Sequence, residues 1–403
     1  MARILFITPM WYEKATPTDP KVCNYFVDEW VKLGHEVVVV HYRTRFPNLY
    51  LSIGGMLPKL QKKLCGDNST MCLDIAEVHY HSSHRVYVLS IPIMKYIPHG
   101  RFCKSVLEGH AHHLVKELNA IMFEPNVIIG HFCNPTIEIM ECLKESFLYA
   151  KTAVVFHEGS KTVKRILGKD AEKRLNKIDV LGYRSMSIQR SIESTYKLKN
   201  KHFICYSGIP SSFIERETPI RKWRDGDIKS FLFVGRMVSY KYPKTIVEAL
   251  CSVYPQKDFS MFYIGKEGSE TKEILDFIHS RGLKDRVSVL GQIERENIVQ
   301  YYEQSECFIM ISDHETFGLV YLEAMSRGCI TIAGSNGGME GIIRHGENGF
   351  LCSPGDAKEL ASIIKKIDAM SKIDKERISI NAMKTAREFS DSNVATYYLN
   401  NIL

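Results

Sequence analysis

The stretch CFIMISDHETFGLVYLEAMSRGCITIAG, residues 307–334, decides the fold. Two short apolar runs, CFIMIS and CITIAG, flank a segment of helical periodicity, FGLVYLEAMSRG. The runs are continuously apolar rather than alternating, which is typical of strands that are covered on both faces in a parallel sheet. The stretch therefore predicts a strand–helix–strand unit. It also carries two glutamates, Glu315 and Glu323, beside the predicted turn.

The same alternation of strand and helix continues in both directions along the chain. The other predicted strands are ARILFIT, HEVVVVHY, VYVLSI, NVIIGHF, TAVVFH, HFICYSG, SFLFVGR, FSMFYIG and RVSVLGQ. The other predicted helices are CNYFVDEWVKLG, SVLEGHAHHLVKELNA, IEIMECLKESF, PKTIVEALCSV, TKEILDFIHSRG, ENIVQYYEQ and MEGIIRH. Alternating units of this kind predict two doubly wound α/β domains. The prolines and charges of residues 209–227 place the break, so we expect domains at 1–209 and 210–385. The tail 386–403 is expected to form a final helix that can pack back on the first domain.

Composition excludes several classes of protein. Of the 403 residues, 45% are hydrophobic and 25% charged, which is ordinary for a globular chain and excludes disorder, collagen and coiled coil. No apolar run approaches the ~18 residues of a membrane-spanning helix. The eleven cysteines are scattered, odd in number and never spaced as C-x-x-C, which predicts a reducing, cytoplasmic location.

The charge is unevenly distributed along the chain. Residues 1–215 hold 28 Lys+Arg against 20 Asp+Glu, a balance of +8, and the remainder holds 25 against 26, a balance of −1. The basic half is expected to face an anionic partner such as a phosphate-bearing substrate, a membrane surface or a nucleic acid.

The segment Ser312–Gly328 carries the most specific chemical motif. Glu315 lies at the end of the predicted strand, and Glu323 follows eight residues later on a helix expected to begin near Thr316. The N-terminus of that helix presents unpaired N–H groups to an anion such as a diphosphate, and Gly318 permits close backbone approach. With its context residues, the segment resembles the E-x7-E motif of the family 4 retaining glycosyltransferases of GT-B fold, which act in bacterial polysaccharide synthesis.

The resemblance implies a fold and a set of residue roles. A GT-B protein has two Rossmann-like domains that face each other across a cleft, with the sugar nucleotide bound to the second. Glu315 would contact the transferred sugar and Glu323 the nucleotide ribose. Phe317, Gly318 and Leu319 would belong to the donor-binding segment. The plainer alternative is a solvated glutamate pair on a core helix.

A second motif is FLFVGRMVSYKYP, residues 231–243. Arg236 and Lys241 resemble the V-G-R-x4-K segment of the same family, although Tyr242 stands where the family has glycine. A departing nucleoside diphosphate develops negative charge, and without a metal fixed cations must stabilise it. A guanidinium fork and an ammonium suit phosphate oxygens. The alternative is that both are surface cations at a strand end.

Two further residues follow from looser matches. Ile293, in VLGQIERENIVQ, stands where backbone of the family contacts the nucleobase. His157, at the end of TAVVFH, stands where the family often has a histidine beside the sugar, although it could also be a structural histidine. The N-terminal loop TPTDPK, residues 16–21, replaces the Gly-Gly loop of many members.

Other signals are weaker. Asp225-Gly-Asp227 has the form of a metal motif, but a polar turn is the better interpretation. Two histidine groups lack the cysteines or carboxylates of a metal site: His79, His81 and His84, and His110, His112 and His113. The segment LPKLQKKL, residues 57–64, is amphipathic and suits either a membrane surface or a surface helix on the sheet. Its apolar face holds Leu57, Leu60 and Leu64, and its basic face holds Lys59, Lys62 and Lys63.

The sequence thus predicts a hexosyltransferase-type glycosyltransferase that needs no metal or cofactor. Its donor is expected to be a nucleotide sugar, most simply a UDP-sugar, and its acceptor a saccharide or lipid-linked hydroxyl. The basic first domain predicts peripheral contact with an anionic membrane from the cytoplasmic side, and no nucleic-acid partner is expected. Two alternatives stay open: an epimerase or phosphorylase on the same fold, and a non-catalytic sugar-nucleotide-binding subunit.

Overall fold

The structure is a computed structural model that describes residues 1–11, 23–45, 77–81, 84–92, 104–214, 223–313 and 315–403. Its contacts divide the chain into two compact units. Unit 1 comprises Met1–Arg184, Ile188–Cys205 and Ala395–Leu403, and unit 2 comprises Ser185–Ser187 and Tyr206–Val394. The helix predicted for the tail forms, and from Ala395 onward it belongs to unit 1.

Unit 1 is built on an eight-stranded sheet in the described residues. Its strands are β1 (Arg3–Thr8), β2 (Glu36–Arg45), β3 (Glu77–His81), β4 (His84–Pro92), β5 (Val127–His131), β6 (Lys151–Phe156), β7 (Val180–Tyr183) and β8 (Lys201–Ile204). The order is β3-β4-β2-β1-β5-β6-β7-β8, and all neighbours pair in parallel except β3, which runs antiparallel to β4. Parallel pairing agrees with the continuous apolar runs, because helices cover both faces of such a sheet.

Helices alternate with these strands. They are α1 (Asn24–Lys32), α2 (Lys104–Ala120), α3 (Thr136–Ser146), α4 (Ser160–Leu167), α5 (Ala171–Leu175) and α6 (Met186–Glu193). In α1 the buried side chains Phe26, Val27 and Trp30 recur at helical spacing and face the core.

Unit 2 repeats the arrangement with a six-stranded, all-parallel sheet. Its strands are β9 (Ser230–Val234), β10 (Ser260–Ile264), β11 (Val287–Val289), β12 (Cys307–Met310), β13 (Ile330–Gly334) and β14 (Phe350–Cys352), in the order β11-β10-β9-β12-β13-β14. The helices that follow α6 are α7 (Pro243–Val253), α8 (Thr271–Ser280), α9 (Arg295–Gln304), α10 (Leu319–Ser326), α11 (Ala357–Asp368), α12 (Lys372–Glu388) and α13 (Asp391–Ile402). The deciding stretch forms β12, α10 and β13, so the predicted strand–helix–strand unit is confirmed.

One predicted helix is wrong. The segment MEGIIRH, residues 339–345, forms turns and isolated bridges instead. Gly341 has φ +78°, in the left-handed region, which interrupts a helical path. Met339, Ile342 and Ile343 are nevertheless buried, and their i, i+3, i+4 spacing is the reason that the segment resembled a helix.

Two boundaries near the glutamates also differ from prediction. Strand β12 ends at Met310, so Glu315 lies in the following loop rather than at the strand end. Gly318 has φ +86° and caps α10, so that helix begins at Leu319 and not near Thr316.

The cysteines of the described residues behave as small buried side chains. All eight are free, and each is buried or half-buried. Across the part of the chain that the structure describes, no helix has the length and apolarity to span a membrane.

Candidate functional site

The loops after β9 and β12 bring together two residues named from the sequence. Lys241 ends a 3₁₀ turn, Ser239–Lys241, between β9 and α7. Its Nζ lies 2.9 Å from Oε2 of Glu315, and the two side chains are 13% and 20% exposed. An ion pair at this depth is screened less than a surface pair, so each charge holds the other in place.

The surrounding backbone fixes the two loops against each other. The N–H of Asp313 donates to the carbonyl of Tyr240 at 2.8 Å, which joins the glutamate loop to the lysine loop. A Cβ at Gly235 would lie 3.3 Å from Lys241 Nζ, so glycine leaves room for the ammonium. A Cβ at Gly338 would lie 2.3 Å from Cα of Phe317, so only glycine allows this approach.

Tyr242, which follows Lys241 directly, has a backbone conformation that is uncommon for a residue other than glycine. Its φ of 49° and ψ of 44° are left-handed, the region that glycine enters at least cost. Pro243 follows as the first residue of α7, where its missing N–H costs nothing.

Arg236 lies near Lys241 in sequence and remains exposed. Its Nε donates to the backbone carbonyl of Glu267 at 3.2 Å. The rest of the guanidinium has no partner among the described residues, so its fork is available to an anion.

Glu323 has a different environment from Glu315. It lies within α10, its side chain is 6% exposed, and Arg295 of α9 binds Oε1 through Nε at 2.9 Å and Nη2 at 2.6 Å. The phenol of Tyr302 donates to Oε2 at 3.0 Å. Both carboxylate oxygens are therefore occupied, and a ribose hydroxyl would have to share or displace these donors.

The sequence did not indicate these partners of Glu323. Arg295 and Tyr302 are seven residues apart on α9 and therefore share a helix face, which is readable from the sequence. The contact between this face and α10 is long-range, and no local sequence pattern specifies it.

The remaining donor-binding candidates lie beside these residues. Phe317 is buried, with its ring 6.2 Å from that of Tyr206, so its backbone rather than its side chain is available to a ligand. Leu319 opens α10 and is half-buried. Ile293 is half-buried and packs against the core of unit 2 two residues before Arg295.

His157, the candidate of unit 1, follows β6 directly. Its ring stacks on Phe132 with centroids 3.9 Å apart, and its Nε2 lies 2.9 Å from Nδ1 of His131. Burial, with smaller effects from the neighbouring His131 and Arg184, holds the pKa of His157 well below its usual range. The imidazole is therefore neutral near pH 7.

Asp225 and Asp227, the possible metal motif of the sequence, lie within the described residues. Asp225 and Asp227 flank a bend at Gly226; the first accepts from the N–H of Lys372 and the second pairs with Lys229. The prediction of a polar turn there is confirmed.

The histidines of α2 are tied locally. His112 bonds to the carbonyl of Glu108 at 2.8 Å, and His113 lies 3.9 Å from Glu117. No group of metal-binding side chains occurs among the described residues. The segments 16–21 and 57–64, and the side chains of His79, His81 and His84, lie outside what the structure describes.

Known proteins resemble parts of this chain in sequence. Residues 215–385 match the family described as glycosyl transferases group 1. N-acetyl-alpha-D-glucosaminyl L-malate synthase of Bacillus anthracis is 29% identical over 160 residues, which cover 40% of this chain and 40% of that relative. The chain thus matches less than half the length of this curated relative.

Solved structures resemble the whole chain. Sucrose-phosphate synthase from Thermosynechococcus elongatus superposes with a TM-score of 0.65 at 17% identity, covering 99% of this chain and 98% of that one. Anabaena Alr3699/HepE, solved in complex with UDP and glucose, gives a TM-score of 0.62 at 17% identity and covers 99% of each chain.

Together these likenesses confirm the predicted fold class, a two-domain α/β protein of GT-B type. The family match is confined to residues 215–385, and it agrees with the resemblance to glycosyltransferases that the E-x7-E motif indicated.

Proposed function

We propose that the chain transfers a sugar from a nucleotide-sugar donor, a UDP-sugar, to a hydroxyl of a saccharide or lipid-linked acceptor. The observation that carries the proposal is the Lys241–Glu315 pair in the loops that precede α7 and α10. A cation and a carboxylate held this way suit a reaction in which a diphosphate departs from a sugar.

The donor's diphosphate would dock at the N-terminus of α10, where the backbone N–H groups of Leu319 and its neighbours are unpaired by the helix. Lys241 and Arg236 would neutralise the charge that develops on the leaving oxygen, the role that a metal plays elsewhere. Glu315 would contact the transferred sugar and hold Lys241 in place. Retention of configuration is part of the proposal and rests on the family resemblance.

Unit 1 would supply the acceptor side, with His157 near the sugar. Exclusion of water from the site would limit hydrolysis of the donor. An epimerase would consume donor without acceptor, and a binding subunit would not consume it at all. The presence of Arg236, Lys241, Glu315 and Glu323 together favours transfer over both.

The first test combines donor turnover with metal removal. A thermal-shift screen of sugar nucleotides selects the donor, because a bound ligand stabilises the native state by mass action. Release of nucleoside diphosphate is then measured with and without a chelator. We expect acceptor-dependent turnover that survives the chelator. Turnover restored only by manganese would contradict the metal-independent mechanism, and product formed from donor alone would favour an epimerase.

We also propose peripheral binding to an anionic membrane through unit 1, motivated by the +8 balance of residues 1–215. Each Lys or Arg near such a surface contributes about 1 kcal/mol, which fades within a Debye length. Binding to anionic vesicles should therefore weaken at high salt. Changing Lys59, Lys62 and Lys63 together to Gln should weaken it by about 10²-fold at low salt.

The matched control uses exposed cations on a described helix. Lys161, Lys164 and Arg165 lie on the exposed side of α4, and the same triple change to Gln there should bind vesicles more tightly than the first variant. A wild-type protein that ignores anionic vesicles at low salt would refute membrane binding.

A further inference from the structure

A chain of three hydrogen-bonded side chains crosses the interior of unit 1 and ends at His157. The phenol of Tyr398, on α13, lies 3.0 Å from Nε2 of His131, the last residue of β5. Nδ1 of His131 lies 2.9 Å from Nε2 of His157, which follows β6. The first link joins residues 267 positions apart, so it exists only because α13 packs on this sheet.

The surroundings leave these rings little freedom. His131 and Tyr398 are both 0% exposed, and the His131 ring meets the edge of Phe6 with centroids 5.1 Å apart. Burial holds the pKa of His131 well below its usual range, with a smaller effect from Arg184. Both imidazoles are therefore neutral, and each has one N–H donor and one bare acceptor nitrogen.

The phenol decides which nitrogen carries each proton. A phenol O–H is a better donor than an imidazole N–H, and an imidazole nitrogen is a better acceptor than a phenol oxygen. Tyr398 therefore donates to Nε2 of His131, which leaves the His131 proton on Nδ1. That N–H donates to Nε2 of His157, so the His157 proton lies on its Nδ1.

The competing contacts are weaker. The thiol of Cys23 lies 3.8 Å from His131 Nδ1, and burial raises its pKa to about 12, so it remains a neutral, weak partner. The Cys205 thiol is also within reach of the Tyr398 phenol, but sulfur accepts more weakly than nitrogen.

We propose that Tyr398 and His131 are positioning residues that hold His157 as its Nδ1–H tautomer, so that this N–H donates a hydrogen bond to an oxygen of the substrate. Among the described residues Nδ1 of His157 has no hydrogen-bond partner, and His157 keeps part of its surface exposed. The substrate part of the inference rests on the proposed function; the tautomer part does not.

The experiment measures tautomer and turnover on the same full-length variants. Protein labelled with ¹⁵N-histidine is observed in long-range ¹H–¹⁵N spectra, which separate protonated from bare ring nitrogens, and a His157→Gln variant assigns the signals. Tyr398→Phe removes the phenol hydroxyl and keeps the aromatic ring. Tyr397→Phe, on the same helix, is the matched control. His131→Leu removes the donor to His157, and His131→Asn restores an N–H donor.

We expect wild-type His157 to be protonated on Nδ1. Tyr398→Phe and His131→Leu should give a mixture of tautomers and lower kcat/KM about tenfold, the effect of one hydrogen bond. Affinity for UDP alone, a ligand assigned to unit 2, should stay unchanged, and both Tyr397→Phe and His131→Asn should resemble wild type. Should His131→Leu fail to fold, Tyr398→Phe decides.

An unchanged His157 tautomer in Tyr398→Phe, or an equal change in Tyr397→Phe, would overturn the proposal. A shifted tautomer with wild-type turnover would overturn the role toward substrate. If the wild-type chain turns over no sugar nucleotide, the proposed function fails by itself, and the spectra still decide whether the chain of hydrogen bonds sets the tautomer.

Discussion

Replacing Lys241 by alanine is expected to slow sugar transfer by about 10²–10³-fold, which is ~3–4 kcal/mol of transition-state stabilisation. The ammonium is largely buried, 2.9 Å from Glu315, so it acts at lower effective dielectric than a surface lysine does. Its charge matters most when the diphosphate departs, because negative charge then grows on the leaving oxygen. The loss should therefore fall on kcat and kcat/KM alike, measured by release of nucleoside diphosphate.

Lys244 provides the matched control for this variant. It lies three residues further on, in α7, where it pairs loosely with Glu248 and Glu273 at 4.0 and 3.9 Å. Lys244→Ala should keep nearly wild-type turnover, whereas Arg236→Ala should lose activity as Lys241→Ala does. Near-normal turnover in both Lys241→Ala and Arg236→Ala, with intact folding, would rule out the proposed phosphate contacts.

Substitutions of the two glutamates should have different effects on nucleotide binding and on sugar transfer. Glu315→Gln is expected to lower transfer about 10²-fold while leaving affinity for the bare nucleoside diphosphate nearly unchanged. Glu323→Gln should weaken that affinity about tenfold, because a hydrogen bond to a charged group contributes ~1.5 kcal/mol or more. Calorimetry with UDP alone measures the affinity, and turnover measures the transfer.

The partners of Glu323 supply the control for this split. Arg295 binds its carboxylate with a fork, and Arg295→Lys keeps the charge while losing the second bond. If Glu323 binds ribose only when Arg295 orients it, Arg295→Lys should also weaken UDP binding. Equal losses of UDP affinity in Glu315→Gln and Glu323→Gln would contradict the assigned roles.

Much of the fold was predictable because the pattern of apolar residues within a short segment indicates a strand or a helix. Continuous apolar runs such as RILFIT and CFIM became parallel strands since both faces of the sheet are covered. Strands β3, β7 and β14 were not predicted, because the apolar runs around them do not extend beyond the short strands themselves, unlike the runs around β8, β11 and β12. The false helix at 339–345 arose because Met339, Ile342 and Ile343, which are buried within turns, stand at the i, i+3 and i+4 spacing of a helix.

The sequence indicated which residues are candidates for the site but not how their side chains are arranged. Motif spacing named Arg236, Lys241, Glu315 and Glu323, and their roles toward donor stay predictions. The pairing of Lys241 with Glu315 and the covering of Glu323 by Arg295 came only from the structure. The loops that carry Lys241 and Glu315 follow the neighbouring strands β9 and β12, so both lie at the same edge of the sheet. The order of the strands in the sheet, and not the local sequence, decides this proximity.

The sequence by itself determined the α/β class, the position of most strands and the resemblance to group 1 glycosyltransferases, because these depend on side-chain periodicity and on short motifs. Only the tertiary structure decided which polar groups meet. Glu323 finds its cation 28 residues away, and His131 finds the Tyr398 phenol 267 residues away. A hydrogen bond requires atoms within about 3 Å, and chain packing rather than sequence distance sets that separation.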